Sequence, residues 1–150
     1  MATSTLLQKL DPLADGFGAT TSHRRQTETF IANGTIAAGD WVAFDTSKTG
    51  ADRVLNVKEA VGGVTGTGLV VGVSLEAAAA GDRVNVVVAG YAEGASVANA
   101  VAAAGVALVV DNTTAGQAVA IAAADLAPAC GVSLEAAALN VCDVWVYKQF

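Results

Sequence analysis

The chain has 150 residues, enough for one domain or two small lobes around a shared core. Apolar residues make up 53% and aromatic residues only 5%, so valine, alanine and glycine supply the bulk, and no apolar run approaches the roughly 20 residues of a membrane-spanning helix. The formal net charge is −6; residues 1–34 sum to zero, so the whole excess sits on residues 35–150 and disfavours a nucleic-acid partner.

Residues 1–34 are polar, carry Pro12, Gly16 and Gly18, and show no sustained period. They read as an extended N-terminal arm with at most a helical turn near Leu6–Leu10. The start, Met1-Ala-Thr-Ser-Thr, lacks the basic and apolar segments of a secretory signal. Phe17, Phe30 and Ile31 are apolar groups that a solvated tail does not need, and His23, Arg24 and Arg25 form a basic trio. These six residues are the expected contacts to a partner protein.

From residue 35 the chain reads as strands. Asp40–Asp45 leads to the turn Thr46-Ser-Lys-Thr-Gly50; Arg53–Val57 and Leu69–Leu75 follow. Arg83–Val88 alternates and then runs apolar, with Gly90 as its expected end. Val106–Val110, Ala118–Ile121, Cys130–Leu134 and Val141–Tyr147 complete the set. Short strands between Gly, Asp, Asn and Thr turns predict a mainly β, compact roll or barrel-like body over 35–150. The alanine runs Leu75–Ala80 and Val97–Ala104 predict short helical turns, each stopped by a glycine.

That body repeats itself. Gly72-Val-Ser-Leu-Glu-Ala-Ala-Ala79 recurs as Gly131-Val-Ser-Leu-Glu-Ala-Ala-Ala138. Upstream, Gly39-Asp-Trp-Val-Ala-Phe-Asp45 aligns with Gly105-Val-Ala-Leu-Val-Val-Asp111, and Gly50 with Gly116. Two pseudo-repeats follow, about 35–94 and 95–150. The first carries seven extra residues, assigned to the Gly-rich stretch 61–68. Gly72, Leu75, Glu76, Gly131, Leu134 and Glu135 are the expected structural positions of the repeat.

No residue pattern carries catalysis. His23 has no Cys, Asp or Glu cluster beside it, so no metal or cofactor is expected. Gly62-Gly-Val-Thr-Gly-Thr-Gly68 lacks the Lys-Ser or Lys-Thr of a phosphate loop. Glu76 and Glu135 occupy equivalent positions, whereas paired catalytic carboxylates need different environments. Ser74 and Ser133 lie outside a Gly-x-Ser-x-Gly elbow. Cys130 and Cys142 read either as buried thiols of a protein made in a reducing cytoplasm or as a bridge between adjacent strands.

The stretch Gly72-Val-Ser-Leu-Glu-Ala-Ala-Ala-Ala-Gly-Asp-Arg-Val-Asn-Val-Val-Val-Ala-Gly90 resembles the capsid cement, or head decoration, proteins of tailed bacteriophages, and the similarity extends over about residues 35–147. The resemblance implies a non-enzymatic virion protein made in the host cytoplasm. It implies binding to the outer surface of an expanded capsid, commonly as a homotrimer, where it bridges major capsid protein subunits. The 34-residue arm and the Gly-rich insertion depart from the compact members. A different class of function is a tail- or fibre-associated β-domain that binds a host surface glycan, which exposed Trp and Tyr would favour.

Overall fold

The computed structural model describes residues 24–62, 69–122 and 128–150. Among the described residues nine strands form one sheet: β1 (Arg25–Ala32), β2 (Trp41–Phe44), β3 (Asn56–Glu59), β4 (Val70–Ser74), β5 (Arg83–Ser96), β6 (Ala107–Val110), β7 (Ala118–Ala120), β8 (Gly131–Ser133) and β9 (Val141–Val146). The one helix among the described residues is the single turn α1 (Asp52–Leu55). The fold is mainly β, as the strand spacing predicts.

The order along the sheet is β1-β3-β2-β4-β5-β9-β8-β6-β7, and β1 also pairs with β5. That last pairing closes a five-stranded barrel, β1-β3-β2-β4-β5. The remaining order mirrors it: β3-β2-β4-β5 of the first copy meets β9-β8-β6-β7 of the second at the β5–β9 seam. In the second copy the C-terminal half of β5 takes the place that β1 holds in the first. It pairs antiparallel with β9, and Val97 makes a parallel bridge to Ala118 of β7, just as Ala32 of β1 pairs in parallel with Val57 of β3.

Strand β5 serves both units because it bends. It is 14 residues long and continues through Gly90, where the sequence predicts an end. Gly90 has φ +91°, and a Cβ there would lie 2.1 Å from the Arg24 carbonyl oxygen. A glycine inside a strand marks this kind of bend and close backbone approach. Here it sits where β5 passes from one unit to the other, paired with Arg25 on one side and Val146 on the other.

Two cores follow from the period-2 alternation of side chains along the strands. Val42, Val57, Val71, Val84, Val86 and Val88, with Phe30 and Ile36, fill the first barrel. Trp41, Ala43, Val73 and Val87 point the other way and join Leu108, Ala118, Cys130, Cys142, Val144 and Val146 of the second unit. The outer wall of the first barrel is therefore part of the core of the second. At this seam Gly131 has Trp41 Cη2 2.9 Å from its missing Cβ.

Two expectations are corrected here. Residues 25–32, placed in the arm by their polarity, form β1 and close the first barrel. Its pattern, apolar and buried only at Phe30 and Ala32, is that of a strand with most of its length facing solvent. Arg53–Leu55, read as strand, forms part of α1, and the strand starts at Asn56. The alanine runs carry short turns and no long helix, as expected: Asp82 N–H donates to Ala79 O and Val101 N–H to Ala98 O, while Ala78 bridges to Ile36 and Val97 to Ala118. Residues 1–23 and the insertion residues 63–68 lie outside the described residues.

Candidate interaction surface

The repeat positions make matching hydrogen bonds in the two units, although Leu75 packs against the core and Leu134 is exposed. Ser74 Oγ donates to the Ala37 carbonyl at 2.6 Å, and Ser133 Oγ donates to the Ala103 carbonyl at 2.8 Å. Both hydroxyls are buried, so each hydrogen bond satisfies a carbonyl of the preceding loop. Leu75 N–H donates to Asn85 O and Leu134 N–H to Asp143 O. Glu76 Oε1 accepts from Asn85 N–H, and Glu135 Oε1 from Asp143 N–H. Gly72 and Gly131 face neighbouring backbone: their absent Cβ atoms would stand 1.9 Å from Val87 O and 2.7 Å from Trp145 O. The two glutamates are thus placed in separate units, each holding a strand.

Other polar groups are also engaged in structure. Asp45 is fully buried and accepts from Asn33 Nδ2, from Ser47 N–H and Oγ, and from Lys58 Nζ at 3.3 Å. Burial alone would raise its carboxyl; these donors outweigh it and hold it at about 2. Tyr91 donates to Asp143 Oδ2 at 2.6 Å across the β5–β9 seam. That hydrogen bond first, then burial and neighbouring negative charge, lift its phenol to about 12. Cys130 and Cys142 are free and buried, which settles the choice between thiols and bridge. Among the described residues no group of three or more His, Cys, Asp or Glu is placed to hold a metal ion.

The expected partner-contact residues separate on the structure. Phe17 and His23 lie outside the described residues. Phe30 is buried in the first barrel, edge-on to Phe44 at 6.0 Å, so it is a core residue and is not available as a surface anchor. Ile31 is 39% exposed on β1. Arg24 and Arg25 stand at the mouth of β1, and the fold brings to them residues that are remote in sequence.

There, Arg24, Arg25 and Gln26 meet Gly90 of β5 and the end of β9, together lining a shallow groove of about 700 Å³. Strand register explains the meeting: Arg25 pairs with Gly90 on one edge of β5, and Gly90 pairs with Val146 on the other. Trp145 and Tyr147, two residues apart and so on one face, are 39% and 40% exposed in the groove wall. Lys148 Nζ reaches across to Gln26 Oε1 at 3.3 Å. No carboxylate lines the groove, and among the described residues neither arginine is ion-paired. Sequence reasoning singled out the arginines but not Trp145, Tyr147 or Lys148. Alternation along Val141–Tyr147 exposes every second side chain, and that signal could have found the two aromatic residues.

No family model and no curated protein matches the chain. Among solved structures it is similar to "The crystal structure of head fiber gp8.5 N base in bacteriophage phi29", with a TM-score of 0.51 and 17% identity. The match covers 82% of this chain and 94% of that one. The likeness is one of fold.

Proposed function

We propose that this chain is a non-enzymatic structural protein of a phage virion, seated on the outer surface of the head, where it stabilises the shell by bridging major capsid protein subunits. The observation that carries the reading is the shared fold with a head fiber base, which spans most of both chains. The cement-protein resemblance of residues 72–90 points to the same surface from the sequence. The carboxylates Asp45, Glu76, Glu135 and Asp143 fit the reading, because they accept hydrogen bonds that hold strands and turns. Self-association as a homotrimer belongs to the proposal on the strength of the cement-protein resemblance, a closed symmetric assembly being one way to bury an apolar face; sedimentation velocity giving only monomer, free and at high concentration, would remove it.

A second reading is favoured by the structural neighbour itself, a head fiber base: the chain is the base of a head fibre, anchored to the shell without bridging its subunits. One experiment separates the two. Heads lacking the protein are mixed with it, pelleted, and heated. Bridging predicts saturable co-sedimentation and a higher temperature of shell disruption. A fibre base predicts the same binding with an unchanged disruption temperature. Failure to bind heads overturns both.

A further inference from the structure

We propose that the groove between β1, β5 and β9 is the docking site on this chain, and that its occupant is a short, extended, acidic segment of a neighbouring polypeptide on the head surface. The inference rests on the virion reading and adds to it the site and the chemistry of the partner.

Charge selects the occupant. Residues 35–150 carry the whole net −6 of the chain, yet the groove gathers Arg24, Arg25 and Lys148 with no carboxylate among its lining residues. An acidic body that concentrates unpaired cations in one concavity attracts an anionic group there and repels it elsewhere. Guanidinium groups suit carboxylates in particular, since their planar fork can bind both oxygens. The aromatic wall adds the apolar half of the contact. Trp145 and Tyr147 present large, rigid faces whose burial costs little side-chain entropy, and Trp, Tyr and Arg are the residue types enriched at interface hot spots. The floor is three strands wide, about 10 Å, which fits one extended chain and not a packed helix with its side chains.

The test uses the full chain and heads lacking it. The chain has two tryptophans, and Trp41 is fully buried while Trp145 is not, so acrylamide quenching of the native protein reports on Trp145. Occupancy is measured by co-sedimentation for the wild type, for Arg24→Glu/Arg25→Glu, for Trp145→Ala, and for Arg53→Glu/Arg83→Glu, a control with the same charge change outside the groove. The proposal expects bound wild type to lose most Trp145 quenching. It expects both groove variants to lose about tenfold or more in affinity, with the control changed by less than about threefold. Thermal unfolding of the exposed-site variants should match wild type, so that lost binding is not lost folding. If wild type binds heads while the groove variants bind equally well, the docking site lies elsewhere and the virion reading stands. If wild type does not bind heads, both fall. If purified host surface polysaccharide shields Trp145 and heads do not, the groove is a glycan site and the acidic-segment proposal is overturned.

Discussion

Gly131 packs against Trp41 with no room for a side chain: the Cβ it lacks would lie 2.9 Å from Trp41 Cη2 and 2.7 Å from the Trp145 carbonyl oxygen. The pair joins copy two to the outer wall of copy one, and most of the larger hydrophobic cluster is arranged around this seam. Trp41→Ala should therefore destabilise the protein by about 3–5 kcal/mol. Gly131→Ala should cost about 1–3 kcal/mol through overpacking. Chemical denaturation of each variant checks this, and a Gly131→Ala protein as stable as wild type would show that the seam can relax.

The turn between β8 and β9 carries avoidable strain. Leu139 has φ +53° and is 91% exposed, and Gly81 stands at the matching turn of the first copy with φ +92°. Leu139→Gly should raise stability by about 1 kcal/mol, because the left-handed conformation is unfavourable for a residue with a Cβ. A lower melting temperature for this variant would contradict the argument.

Asp45 predicts an acid limb in the stability profile. Its carboxyl titrates near 3.8 when free and at about 2 in the fold. Depression of a folded carboxyl means that its contribution is complete above pH 4 and is lost as pH falls towards 2. Asp45→Asn should lose about 2 kcal/mol at pH 7 and flatten the profile between pH 4 and 2. Denaturant unfolding at a series of pH values reads both effects; an unchanged acid limb in the variant would place its cause at another group.

The thiols should be inert in the native state. Burial pushes Cys130 up to about 12, and burial with the charges of Glu135 and Asp143 pushes Cys142 up to about 11. At pH 8 almost no thiolate forms, so a thiol-specific reagent should label neither cysteine until the protein unfolds, and then both. Rapid labelling of the folded protein would mean that the second unit opens readily.

Strand spacing and the duplicated octapeptide made the β-rich, twofold plan legible, because those signals are local. What stayed hidden depends on tertiary pairing. The segment Arg25–Ala32 looks like a tail, since only Phe30 and Ala32 are buried; it becomes a strand through β5, whose paired residues are 52 to 65 positions away. A further repeat marks it: Ile31-Ala-Asn-Gly-Thr-Ile-Ala-Ala-Gly39 aligns with Val97-Ala-Asn-Ala-Val-Ala-Ala-Ala-Gly105. This alignment extends the first unit back into β1. Gly90 reads as a stop because nothing nearby in sequence reveals that β5 must bend there to enter the second unit. The groove was half legible for the same reason: Arg24 and Arg25 stand out in sequence, while Trp145, Tyr147 and Lys148 reach them only through the pairing of Gly90 with both Arg25 and Val146.

The most direct test of the account is a cryo-electron microscopy reconstruction of heads carrying the wild-type chain. The account predicts density for the two-unit β-body on the outer shell surface, touching more than one capsid subunit, with the Arg24–Trp145 groove filled by a segment of a neighbouring polypeptide. Density confined to the tail, or no ordered density on heads that bind the chain in solution, would contradict it.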